Sequence, residues 1–126
     1  GAAATGATAA PGAPSFTVLA AAVCRAEVGA VPPVPDPEKS GAPEHRRYVR
    51  AVQTAAGGLA SAFVALEGRR PESQGTLEPL VARARAVERT ARAAARGGTG
   101  GSADVRIAIA RLNEASSAAS LPACAL

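Results

Sequence analysis

Apolar residues recur at three- and four-residue steps in four separate stretches of this chain, and prolines and glycines mark the breaks between them. The clearest stretch starts at Ala42 or Pro43, with proline tolerated in a first helical turn. It places Tyr48, Val49, Val52, Ala55, Ala56, Leu59, Ala62, Phe63 and Leu66 along one face, the signature of an amphipathic helix. Gly57 and Gly58 fall in its middle, where each costs up to about 1 kcal/mol relative to alanine, and point to a kink or a close helix contact. Gly68 is placed to cap its end, with Arg69, Arg70 and Pro71 as the turn.

The other three stretches flank it. Ser15 is a good N-cap for a first helix that lines up Phe16, Leu19, Ala20, Val23 and Cys24 and ends near Gly29. The following VPPVPDP, residues 31–37, cannot continue a helix, because proline lacks the amide donor and clashes with the preceding turn. It predicts an extended connection leading into Ser40 and Gly41. A third helix opens at Ser73 or Thr76, carries Leu77, Leu80, Val81, Ala84, Val87, Ala91 and Ala95, and runs to Gly97. GGTGGS, residues 97–102, then reads as a flexible loop ending in Ser102 as the N-cap of a fourth helix, with Asp104 in the first turn where the helix dipole favours a carboxylate. Val105, Ala108, Ile109, Leu112, Ala115 and Ala119 form its stripe. VRIAIA, residues 105–110, also alternates with period two, as a strand would; the stripe outlasts that run and favours helix.

Four amphipathic helices predict an all-α fold, an up-down-up-down four-helix bundle over residues 15–126. Residues 1–14, low in complexity and uncharged, read as a flexible Ala/Gly/Thr/Pro-rich tether. In this topology the end of helix four returns to the start of helix one. The tail SLPACAL could then bring Cys124 to Cys24, so a disulfide joining the first helix to the tail fits; two free buried thiols are the alternative.

Composition makes that bond matter. Hydrophobic residues are 48% of the chain but aromatics only 2%, and roughly a quarter of the residues are alanine. Alanine buries little area, so at about 25 cal/mol per Å² the margin over chain entropy is thin. A bond closing a loop of about 100 residues adds on the order of 4 to 5 kcal/mol in the chain-entropy account. It also implies an oxidising compartment. The absence of methionine, position 1 included, points the same way, toward a chain whose leader has been removed. No run of 18 apolar residues occurs, so no transmembrane span is expected.

The net charge of +4 and pI near 10.0 raise nucleic acid as a partner. Lys39 is the only lysine, a bias that a GC-rich genome explains equally well, and Phe16, Tyr48 and Phe63 all fall at positions that look buried. Without a stacking platform, nucleic acid is disfavoured. Catalysis and cofactors are not expected either. His45 is the only histidine, which leaves no metal-ligand set and assigns it a capping or interface role. The cysteines lack CxxC spacing, the serines lack a GxSxG elbow, the glutamates form no inward ExxE or ExxH pair, and GGTGGS lacks the lysine of a P-loop.

One surface pattern stands out. Arg85, Arg89, Arg92 and Arg96 recur at four, three and four residues and stack in a stripe able to grip phosphates, anionic headgroups or an acidic partner. The plainer reading is a solvated face on which Glu88 pairs with Arg85 or Arg92.

FTVLAAAVC, VPPVPDP and ASLPACAL together resemble pieces of small, uncharacterised secreted proteins and lipoproteins of high-GC Gram-positive bacteria. The resemblance covers nearly all of residues 16–126 and implies a cell-envelope location and a Cys24 to Cys124 bond. A lipid anchor would require a modified cysteine just before Gly1. The expected function is that of an exported, non-enzymatic binding or accessory module at the outer face of the membrane, a subunit of a membrane complex. Its partner would be an envelope protein or an anionic lipid surface, with a basic polyanion-binding module as the alternative.

Overall fold

A computed structural model describes residues 14–36, 42–97 and 102–126. The expected tether (apart from Pro14), the approach through Ser40 and Gly41, and most of the GGTGGS loop lie outside the described residues. Within them, the four predicted helices are present and VRIAIA is helical.

Helix α1, Phe16–Gly29, starts where Ser15 accepts the Val18 amide through its hydroxyl. The proline-bearing segment after it is non-helical through Asp36. Helix α2, Ala42–Arg69, is the long central element. It runs through Gly68, correcting the expected glycine cap. Arg70 breaks it instead, at φ −132° and ψ 77°, because a residue before proline is pushed out of the helical region. Pro71–Ser73 form a single 3-10 turn, and α3 follows as Gln74–Gly97. Ser73 therefore does not lie at the open end of a helix. It is buried, with its hydroxyl donating to the Arg70 carbonyl at 2.7 Å. Helix α4, Ser102–Ala118, is followed by a second 3-10 turn, Pro122–Cys124.

Two cross-links show that the helices alternate in direction. Arg70 Nη1 donates to the Pro14 carbonyl at 2.9 Å, which sets the entry of α1 beside the exit of α2. His45 and Ser102 lie within 2.8 Å, which sets the starts of α2 and α4 together at the opposite end. The bundle is therefore up-down-up-down.

The core follows the predicted stripes closely. Phe63, Leu59, Leu66, Leu77, Leu80 and Leu112 supply its bulk, and Ala56, Ala60, Ala84 and Ala91 let the helices approach. Ala60 and Ala94 are buried although the stripes passed them by, while Ala62, Val81 and Ala95 are half-buried. Tyr48 and Phe63 are buried as expected, and burial pushes the Tyr48 phenol above its ordinary pKa. Phe16, at the edge of α1, is half-buried. By length and composition α2 is apolar enough to cross a membrane, although it contains no unbroken apolar run of 18 residues. Core helices share that property, and its apolar stripe faces α1 and α3 here.

Helix α1 packs on α2 and on the C-terminal tail; α4 packs on α3 and on the same tail. Among the described residues α1 and α4 make no extended contact, so the tail closes the ring. Ser120 makes this possible. It adopts φ 58°, the only non-glycine residue with positive φ among those described. Around it Leu121 N bonds the Ser116 carbonyl at 2.8 Å and Ser120 N bonds that of Ser117 at 3.0 Å, the paired bonds of a Schellman motif. The reversed chain buries Leu121 and carries Cys124 to Cys24. The two are disulfide-bonded, with Cα atoms 4.7 Å apart and both residues fully buried. Leu126 N donating to Asn113 Oδ1 at 2.8 Å ties the last residue to α4.

Two outcomes are expected. Replacing both cysteines with alanine should lower stability by up to about 4 kcal/mol, and hydrogen exchange should show α1 and the tail losing protection before α2 and α3; an even loss across all four helices would contradict this account. Ser120→Gly should raise the denaturation midpoint, by about 0.5 to 1 kcal/mol in stability, because glycine adopts the left-handed conformation without the Cβ penalty, whereas Ser120→Val should lower it.

Candidate functional site

The predicted arginine stripe lies on the outer side of α3, away from the buried positions Leu80, Ala84, Val87 and Ala91. The four guanidinium groups are not equivalent. Glu88 accepts from Arg85 Nη1 at 3.2 Å through Oε1 and from Arg92 Nη2 at 3.4 Å through Oε2, so one carboxylate bridges both. Arg89 and Arg96 are exposed and have no acidic partner among the described residues. The stripe therefore alternates between two arginines that share one carboxylate, Arg85 and Arg92, and two available charges, Arg89 and Arg96. Exposed pairs at these spacings stabilise a helix by about 0.3 to 0.5 kcal/mol each.

The Glu88 carboxylate also lies close to the α2 backbone at Gly57. A Cβ added to Gly57 would meet Glu88 Oε2 at 2.7 Å, and one added to Gly58 would collide with the carboxylate of Glu27 from α1. The adjacent glycines thus accommodate two carboxylates, one from each neighbouring helix, against the α2 backbone. This is the close helix contact their positions suggested, and α2 remains continuous through them.

Ser102 is the first residue of α4, and its hydroxyl is engaged by His45 Nε2 at 2.8 Å. That contact corrects its expected capping role and gives the single histidine a defined one, an interface bond joining the starts of α2 and α4. No carboxylate bonds the other ring nitrogen among the described residues. Nothing in the sequence could have paired these residues, which lie 57 positions apart on helices that are not adjacent in the chain. Grouped histidine, cysteine and acidic side chains able to hold a metal ion do not occur among the described residues. Asp104 occupies the first turn of α4 as predicted.

Compared with known proteins, the chain matches no family, no curated protein and no solved structure.

Gly57→Ala tests the Glu88 arrangement. Alanine gains about 1 kcal/mol of helix propensity at this interior position, while displacing Glu88 forfeits two weak ion pairs of about 0.3 to 0.5 kcal/mol each. Thermal unfolding should place the variant within about 1 kcal/mol of the parent, since a carboxylate at the end of a flexible side chain can swing aside. A loss above about 2 kcal/mol would mean that backbone, and not Glu88 alone, occupies that space.

Proposed function

We propose that this protein is an exported, non-enzymatic helical module that docks at the outer face of a cell envelope. The observation that carries the reading is the fully buried Cys24–Cys124 bond, since a disulfide that closes the fold persists only in an oxidising compartment. The resemblance of FTVLAAAVC, VPPVPDP and ASLPACAL to secreted proteins and lipoproteins agrees with it. The exposed Arg89 and Arg96 support an anionic surface as the partner, either lipid headgroups or an acidic patch on an envelope protein. A tether to the same membrane would raise the effective concentration of headgroups and make a weak contact sufficient. The polyanion-binding alternative draws on the same two arginines, but Glu88 engages Arg85 and Arg92 and interrupts the stripe that a phosphate backbone would follow.

Co-sedimentation with vesicles distinguishes these readings. The protein should pellet with phosphatidylglycerol-containing vesicles and not with pure phosphatidylcholine. Arg89→Gln with Arg96→Gln should weaken binding roughly tenfold or more, at about 1 kcal/mol per arginine near an anionic surface. Arg85→Gln with Arg92→Gln should do less, because those guanidinium groups are already engaged by Glu88 and are less available to a headgroup. Equal binding to both vesicle types would remove lipid as the partner, and tight, steeply salt-dependent binding to unrelated DNA would favour the polyanion reading.

A further inference from the structure

Between α3 and α4 the surface opens into a cleft of about 210 Å³, lined among others by Arg83, Ala86, Thr90, Asp104, Ile107 and Arg111. The two helices are antiparallel, so Arg83 and Arg111 belong to one end of the cleft and Thr90 and Asp104 to the other. The middle is apolar, formed by Ala86 and by Ile107, an isoleucine left 51% exposed. Arg83, Arg111 and Asp104 have no ion-pair or hydrogen-bond partner among the described residues, unlike Arg85 and Arg92.

The polar groups at the two ends differ in kind. Two guanidinium groups from different helices present only donors, suited to a carboxylate. At the other end Asp104 is an acceptor. The Thr90 hydroxyl donates to the Ala86 and Val87 carbonyls at 2.9 and 3.1 Å, so its remaining capacity is as an acceptor too. Seven residues separate Arg83 from Thr90 and Asp104 from Arg111, a rise of about 10 Å.

We propose that this cleft binds a small elongated zwitterion, with its carboxylate at Arg83 and Arg111, its ammonium at Asp104 and Thr90, and an apolar spacer against Ala86 and Ile107. The carboxylate of Asp104 within the same cleft favours a zwitterion over a simple anion. The volume lies below the roughly 300 to 1,000 Å³ of sites for drug-sized ligands, which sets the size of the occupant. This site is separate from the outer arginine stripe and does not depend on the envelope reading.

The probe is 6-aminohexanoate, titrated into isotope-labelled protein and followed by amide chemical shifts, with hexanoate and hexylammonium as single-charge controls. Saturable shifts centred on Ala86, Thr90, Asp104 and Ile107 are expected, with a Kd on the order of 1 to 10 mM for so small and open a site. Hexanoate and hexylammonium should each bind about fivefold more weakly or worse. Arg83→Gln with Arg111→Gln should weaken 6-aminohexanoate about fivefold or more, and Asp104→Asn should abolish the preference for it over hexanoate. These side chains are exposed, so the variants should fold, as circular dichroism checks. Arg89→Gln with Arg96→Gln should bind like the parent. The proposal is overturned by an absence of saturable shifts, by hexanoate or hexylammonium binding as tightly as the zwitterion, by indifference to the Arg83 and Arg111 changes, or by loss of binding in the Arg89 and Arg96 variant.

Discussion

The bundle depends on how its first and last helices are joined when, among the described residues, they make no extended contact. Among the described residues α2 is the one helix against which α1 packs extensively, and the opening toward α4 is filled by the tail, with Leu121 and the Cys24–Cys124 bond at its centre. An interior so rich in alanine makes this necessary. Alanine brings backbones close but contributes little buried area, and at about 25 cal/mol per Å² a 14-residue helix docked on one neighbour gains little. The covalent link acts where packing is weakest, because it limits how far α1 can stray in the unfolded chain.

That solution places a demand on the end of α4. The chain must reverse within two residues so that Leu121 points inward and Cys124 reaches Cys24. The Schellman bonds around Ser120 achieve it, at the expense of a serine held where glycine is normally found. The buried Ser116, whose hydroxyl donates to the Leu112 carbonyl at 2.9 Å, shows how a polar residue can sit beneath this turn with its donor satisfied.

The helices, their inward faces and the disulfide were legible in the sequence because each rests on a periodicity or on a pair of unusual residues. Val52, Leu59, Phe63 and Leu66 could hardly face anywhere but inward. Helix ends were less legible, since they turn on local competition. The arrest at Arg70 comes from Pro71 and not from Gly68, and Ser102 bonds across to His45 in preference to capping its own helix. Ser73 and Ser116 were invisible as core residues, because their burial is offset by backbone carbonyls that only the folded chain supplies. The arginine stripe was legible as a pattern, but its division into paired and available charges depends on Gly57 making room for Glu88.

This division has a spatial counterpart. The disulfide and tail join α1 to α4, whereas Arg89, Arg96 and the Arg83/Arg111 cleft belong to α3 and its interface with α4, and α3 makes no extended contact with α1 among the described residues. What holds the fold closed thus centres on α1 and the tail and what faces a partner centres on α3, with α4 contributing to both. Residues more than about 10 Å apart with no shared partner perturb stability nearly independently. Arg89 and Arg96, on a helix that makes no extended contact with α1 among the described residues, can therefore be exchanged without weakening the closure. The closure, in turn, could be lost while the α2 and α3 scaffold beneath those arginines stays in place, which makes the oxidation state of the cysteines a requirement for the integrity of α1 and not for the chemistry of the exposed face.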